Sequence, residues 1–313
     1  MGSTLEAEAG AESPAHRPLL VSLWGKGGVG KSTLAAALAI SLRKRGLNVG
    51  LISTDIFPSI IDVLGTGKPG EWFEACGVQV LAVSKELASR MWRERFGDEI
   101  YKVFSLLFDV DKETLLSYLE EAPWILEQVY LMMVVEGLKR FDAVVWDTPG
   151  AGGGLLMLEL EEKLYRHLRL APRIYSKLRI GGHEPIDKII KSWRKLAEEI
   201  LQTIHSETHV PIVVVDAFGG EWQVREILHA LESYNLKPKA IIVNRVVTGE
   251  VCQSCKPFSI LAGIASGTLQ VTKEIAISRG MEISTVPLVV PPPKGCKMLD
   301  KLSSLFGNIN VLR

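Results

Sequence analysis

The apolar run Leu19-Leu20-Val21-Ser22-Leu23-Trp24 leads straight into Gly25-Lys26-Gly27-Gly28-Val29-Gly30-Lys31-Ser32-Thr33. Gly25, Gly30, Lys31 and Ser32 fit G-x-x-x-x-G-K-[ST], a phosphate-binding loop that joins a strand to a helix. Its glycines let backbone N–H groups close around phosphates. The helix that follows aims its positive end at the same anion. Lys31 is expected to reach the β- and γ-phosphates, and the Ser32 hydroxyl to ligate Mg²⁺. Leu34, Leu38 and Leu42 recur at helical spacing, and Gly46 closes that helix. Strand, loop, lysine, hydroxyl and helix in this order argue against a bare glycine-rich turn.

The loop opens an alternation of strands and helices. Residues 47–53, 79–83, 141–146, 211–215, 240–243 and 283–286 read as strands. Continuous apolar strands separated by helices imply an α/β fold with a doubly wound, mostly parallel sheet covered on both faces. Residues 85–138 read as helical with a break at Pro123, and 155–205 as a helical insertion between two strands. The expected organisation is a flexible tail over 1–18 and one phosphate-loop domain over 19–313. That domain carries a helical subdomain from about 85–138 and 155–205. Within the insertion Ile189, Ile190, Trp193, Leu196, Ala197, Ile200 and Leu201 follow one helical face. Residues 163–195 hold ten basic side chains and two acids, a local charge of +8. Such a helix suits an anionic membrane surface, a partner helix or an ordinary solvated face.

Over the whole chain 36 basic and 36 acidic residues cancel, so no global charge argues for nucleic acid as a partner. No run of 18 apolar residues occurs, and 1–18 lacks a hydrophobic signal core. Four cysteines in 313 residues do not describe a disulfide scaffold, and a cytoplasmic, reducing compartment is expected. Cys76 and Cys296 stand alone in the sequence and read as structural.

A nucleotide hydrolase needs a magnesium relay and a way to place water. Asp147 ends the apolar run Ala143-Val144-Val145-Trp146, where a Walker-B aspartate belongs, and would hold Mg²⁺ through water. The stretch Thr148-Pro149-Gly150-Ala151-Gly152-Gly153-Gly154 behind it suits a loop that moves with the γ-phosphate. Asp55 follows the second strand, on the edge where ligands sit in doubly wound sheets. A carboxylate there can orient the attacking water or take its proton. Asp62 would at most touch the Mg²⁺ water shell.

With Lys26 inside it, the loop K-G-G-V-G-K-[ST] resembles the deviant phosphate loop of dimeric ATPases: MinD, the ArsA arsenite-pump ATPase, the tail-anchored-protein targeting ATPase and the Mrp-type iron–sulfur carriers. Ser53-Thr54-Asp55, Asp62 and Gly65 resemble switch I of the ArsA and tail-anchored-targeting family, with Ile56-Phe57-Pro58 replacing its P-A-H. Asp147 to Leu155 resembles that family's switch II, with Gly153 in place of its histidine. Ile241-Ile242-Val243-Asn244-Arg245 is similar to its adenine-binding turn, and Val286-Pro287-Leu288 to its loop beside the adenine. An N-K-x-D guanine signature is absent, so ATP is expected rather than GTP. The resemblance covers about 19–65, 140–160 and 208–306. It implies a homodimeric, Mg²⁺-dependent ATPase. Lys26 would reach the partner's nucleotide, Lys31 the phosphates of its own, and Asp55 would position water. Asn244, Pro287 and Leu288 would hold adenine. The implied client is a hydrophobic transmembrane segment of a tail-anchored protein, delivered to a membrane receptor.

Cys252-Gln253-Ser254-Cys255 offers two thiolates, and tetrahedral zinc takes four ligands, so a symmetric dimer would complete one site. The targeting ATPases carry their zinc-bridging C-x-x-C at this place in the order, which implies Zn²⁺ at Cys252 and Cys255. The Mrp-type carriers use a similar pair for an iron–sulfur cluster, and that carrier function is the alternative. An arsenite-pump subunit is a further one, opposed by the scarcity of cysteines.

Overall fold

The computed structural model describes residues 17–55, 57–105, 109–122, 125–175, 184–248, 255–307 and 309, with the backbone alone at 103, 171–175 and 184–187. Most of the expected tail, Ile56, Pro123 and Cys252 lie outside the described residues. Eight strands form one sheet: β1 Leu19–Trp24, β2 Val49–Ser53, β3 Trp72–Ala75, β4 Val78–Ala82, β5 Ala143–Asp147, β6 His209–Asp216, β7 Ala240–Val246 and β8 Glu282–Pro287. Their order is β3-β4-β2-β5-β1-β6-β7-β8, and every pairing is parallel except β3 with β4. The order reverses at β1, which lies between β5 and β6, and the phosphate loop leaves the sheet at this switch point.

Side chains alternate across each strand and feed two cores. On one face Val21, Leu23, Val145, Val214 and Ile242 pack with α1 Lys31–Lys44, α2 Ser59–Leu64 and α11 Gly295–Ser303. On the other Leu20, Trp24, Val144, Trp146, Val213 and Val243 meet a thicker layer. Its helices are α3 Lys85–Trp92, α4 Asp98–Phe104, α5 Lys112–Glu120, α6 Ile125–Gly137, α7 Ala151–Tyr175, α8 Glu184–Ile204, α9 Gly220–Ser233 and α10 Lys256–Ser278. A π-helical turn, Arg93–Gly97, joins α3 to α4 and seats Phe96 edge-on against Trp193. Ser84 and Asp111 cap α3 and α5 by accepting from Leu87 N and Thr114 N.

Three sequence readings need correction. The hairpin strand β3 was not expected; it turns through Cys76 and Gly77, both at positive φ (55° and 75°), as a two-residue hairpin loop requires. Cys76 and Cys296 do not stand alone. They form a disulfide that ties this turn to the start of α11 across 220 residues. Closing so long a loop contributes on the order of 5 kcal/mol in the chain-entropy account. Finally, Ala151–Gly154 is the first turn of α7 rather than loop.

The thick layer buries one carboxyl. Glu161 on α7 is 2% exposed and accepts from Gln128 Nε2 on α6 at 3.1 Å. Burial pushes its pKa up to about 7, against the opposing pull of the Gln128 bond. A carboxyl raised in the folded state favours folding most below its unfolded value, near 4.5, and that advantage is lost as pH rises through 7. Glu161→Gln keeps the shape and removes the charge. Its advantage over the parent protein at pH 8.5 should be on the order of 3 kcal/mol. That corresponds to roughly 5 °C in melting temperature, with little difference near pH 4.5. Equal melting temperatures at pH 8.5 would contradict a charged, buried Glu161.

Candidate nucleotide site

Gly30, the N-cap of α1, adopts φ 95°, and Gly28 φ 83°, backbone conformations that the loop needs and that side chains resist. Space enforces two of the glycines as well. A Cβ on Gly25 would stand 2.3 Å from Val214 O, and one on Gly30 2.4 Å from Asn244 Nδ2. Lys31 folds back under the loop, its Nζ donating to Gly25 O (3.2 Å) and to Lys26 O (3.4 Å). Burial lowers its pKa, while Asp147 and Asp55 pull it back up. Gly27 and Lys26 are exposed, Val29 is buried, and Ser32 and Thr33 are half-buried at the start of α1.

Asp147 ends β5 fully buried beside this loop. Ser53 Oγ donates to its Oδ2 at 2.8 Å, and its Oδ1 has no partner. Burial raises its pKa to about 6; the hydroxyls of Ser32 and Ser53 and the Lys31 charge hold it from rising further. Thr54 N donates to Asp147 O at 3.2 Å, which stitches the second strand's exit to the fifth's. Asp55 follows, half-buried, and accepts from Phe57 N at 3.2 Å. Ser32 Oγ shares a 2.7 Å hydrogen bond with Ser59 Oγ on α2.

These donors fit Mg²⁺. An unpartnered buried carboxylate oxygen on Asp147 and a serine hydroxyl on the first turn of α1 are hard oxygen ligands facing one region. Ser32 would bind the ion directly and Asp147 through its water. When bound, the ion neutralises charge on the phosphate oxygens. The chain itself supplies the amide cradle, the Lys31 charge and the Asp55 carboxylate.

Thr148, also fully buried, donates from Oγ1 to Leu23 O at 2.5 Å. Three residues later Ala151 N donates to Gly25 O at 3.0 Å. The first turn of α7 is thereby bonded to the phosphate loop. Gly152, Gly153 and Gly154 make that turn weak, since each costs about 1 kcal/mol against alanine in a helix.

The expected adenine residues collect at the ends of β7 and β8. Leu288 N donates to Val246 O at 2.8 Å, which sets Pro287 and Leu288 beside β7. Asn244 is 7% exposed; its Nδ2 donates to Val29 O at 2.8 Å and its Oδ1 accepts from Arg245 N at 2.9 Å. It thus braces the phosphate loop from below. Sequence reading missed its neighbour Asp216, which pairs with Arg245 Nη1 at 2.6 Å and accepts from Phe218 N. The signal was present, an acid directly after the apolar run Ile212–Val215. Asp62 does not face this site; its two oxygens meet Lys294 Nζ at 2.7 and 2.6 Å on the surface. Cys255 is a free, exposed thiol at the start of α10. Among the described residues no group of three or more His, Cys, Asp or Glu could hold a metal ion.

A sequence profile of the anion-transporting ATPase family matches residues 18–307. The chain is 26% identical over 242 residues to a putative arsenical pump-driving ATPase 2 of Aquifex aeolicus, covering 71% of this chain and 78% of the relative. It is 24% identical over 316 residues to an ATPase get3 of Aspergillus niger, covering 91% and 89%. To an ATPase ARSA1 of Chlamydomonas reinhardtii it is 25% identical over 272 residues, covering 72% of this chain and 35% of that longer one. With the phosphate loop, Asp147 and the parallel sheet in place and the profile running through all of them, the chain belongs to the anion-transporting ATPase family and is an ATPase.

Proposed function

We propose that the protein is a homodimeric, Mg²⁺-dependent ATPase that couples ATP hydrolysis to binding and delivering tail-anchored membrane proteins. The observation that carries this reading is the hydrogen bond from Ala151 N to Gly25 O. Through it, a change at the phosphates acts on a glycine-weakened first turn, and so on a 25-residue helix of the thick layer. Similarity to proteins named ATPase get3 supports the client class. A cytoplasmic location follows the family resemblance, and among the described residues no helix is long and apolar enough to cross a membrane. The Cys76–Cys296 bond is the observation that opposes a reducing compartment.

The expected client-binding face is closed in this structure. Ile189, Leu196 and Ile200 are 9%, 3% and 0% exposed, so α8 is packed in the layer. Client binding therefore requires α7 and α8 to part from α4 and α6 in one nucleotide state. A photoreactive transmembrane peptide should crosslink within 113–135 or 155–205 with one of ADP or a non-hydrolysable ATP analogue, and less with the other. No crosslink in either state would remove the client and leave the ATPase.

The dimer is supported by an exposed apolar face at the start of α10. Beside Cys255 the first turns of α10 expose Ile260, Leu261 and Ile264 at 64%, 40% and 46%, apolar surface that a second copy would cover. Cys252 and Cys255 of two subunits would then share one Zn²⁺. Purified protein should contain half an equivalent of zinc per chain, and Cys252→Ser/Cys255→Ser should contain none and dimerise more weakly. Brown protein with broad visible absorption and no zinc would favour the Mrp-type iron–sulfur carrier instead. The likeness to an arsenical pump-driving ATPase keeps an arsenite-linked role as a second reading. It is opposed by the pairing of Cys76 with Cys296, which leaves each subunit only Cys252 and Cys255, the pair the dimer reading gives to zinc.

A further inference from the structure

Two tryptophans lie directly beneath the nucleotide site. Trp24 ends β1 one residue before Gly25, and Trp146 precedes Asp147; both are 0% exposed. Their rings meet edge to face, with centroids 5.5 Å apart and planes at 77°. Each indole N–H has a partner. Trp146 Nε1 donates to Thr54 Oγ1 at 2.9 Å, and Trp24 Nε1 donates to Ser22 Oγ at 2.6 Å. Ser22 Oγ lies 2.6 Å from His209 Nε2, and His209 Nδ1 lies 2.6 Å from Ile204 O. A carbonyl only accepts, so Nδ1 carries the histidine proton and Nε2 accepts from Ser22. Burial holds the His209 pKa down at about 4, so the ring is neutral and the chain of donors runs one way. The arrangement is fully satisfied, and it fixes the orientation of Trp24 and, through ring packing, of Trp146.

Thr54 is the residue before Asp55. Its backbone N–H is held by Asp147 O and its hydroxyl by Trp146, while Ser53 Oγ donates to Asp147 Oδ2. Three hydrogen bonds therefore lock residues 53–54 onto 146–147, and one of them reaches a side chain whose only polar atom is the indole N–H. On its other flank Trp24 supports α7, because a Cβ on Gly154 would stand 2.8 Å from Trp24 Cζ3.

We propose that Trp146 and Thr54 are positioning residues for ATP hydrolysis. The indole N–H fixes the Thr54 hydroxyl, and with it the backbone that presents Asp55, in register with the strand end that carries Asp147. The inference rests on Asp55 acting on the attacking water. A hydrogen bond of this kind contributes to placement and not to nucleotide affinity, since the Trp146 ring lies in the apolar core and its N–H is taken up by the Thr54 hydroxyl. Losing it should therefore slow the chemical step and leave ATP binding alone.

The test is steady-state ATP hydrolysis by the full chain with melting temperatures measured alongside. Trp146→Phe keeps the ring and deletes the donor; Thr54→Val keeps the shape and deletes the acceptor; Thr54→Ser keeps the hydroxyl. Trp146→Phe and Thr54→Val should each lower kcat about five- to tenfold, with KM for ATP within twofold of the parent. Thr54→Ser should stay within twofold in both. The double variant should be no slower than either single one, because both remove the same bond. Parental kcat in Thr54→Val, or losses that multiply in the double variant, would overturn the inference. So would a Thr54→Ser variant as slow as Thr54→Val. Should Trp146→Phe fail to fold, the Thr54 pair decides by itself. The Asp55 premise is judged separately: a fully active Asp55→Asn removes that premise, whereas an inactive Asp55→Asn beside a fully active Thr54→Val overturns the positioning role alone.

Discussion

Asp55→Asn should bind ATP as the parent protein does and hydrolyse it about 10²–10⁴-fold more slowly, the range lost with a general base. The carboxylate lies at the sheet's C-terminal edge, half-buried, and accepts from Phe57 N. Asparagine can still accept that hydrogen bond, so the local turn should survive. It cannot take a proton or attract one from water. Nucleotide affinity should hold because Lys31, the glycine backbone and Asp147 are untouched. Single-turnover kinetics separate the two effects, since binding is read from the amplitude and chemistry from the rate. Full turnover in Asp55→Asn would end its assignment.

Lys26→Ala is the second large effect. Lys26 is exposed on the loop, whereas Lys31 is folded inward onto Gly25 O and Lys26 O. The proposed role for this exposed lysine is to meet a nucleotide held by another copy. Supplied in trans, such a cation contributes about 10³–10⁵ in rate. We expect kcat to fall about 10³-fold with ATP binding to the isolated subunit preserved. Mixing makes the prediction sharper. Lys26→Ala and Asp55→Asn proteins, each inactive alone, should recover activity when combined. In the mixed dimer the Lys26→Ala subunit keeps its own Asp55 and receives Lys26 from the other. A mixture as inactive as its components would refute action across the interface.

How much of this was legible in the sequence depended on how local its cause was. The phosphate loop, α1 and the buried strands β1, β5, β6 and β7 were readable because loop chemistry and apolar runs lie within ten residues. Asp147 was readable for the same reason. The strand β3 was not. Trp72-Phe73-Glu74-Ala75 is short and lies at the sheet's antiparallel edge, where one neighbour replaces a long apolar run. The glycine run at 152–154 reads as loop by propensity, yet the bond from Ala151 N to Gly25 O holds it helical. That bond joins residues 126 apart in sequence and leaves no local mark. The same holds for the Cys76–Cys296 pairing, for Asn244 under the phosphate loop and for Trp146 over Thr54. The helical pattern of Ile189 to Ile200 was correctly readable as an apolar face. Periodicity could not say that α4, α6 and α7 cover it.

In the proposed mechanism two copies of the chain hydrolyse ATP together with Mg²⁺. Turnover per chain measured across a hundredfold range of protein concentration, with Mg²⁺ and with EDTA, tests this most directly. We predict that turnover per chain rises with concentration, levels off where sedimentation shows the dimer, and vanishes in EDTA. Constant turnover per chain at concentrations where the protein sediments as a monomer would contradict it.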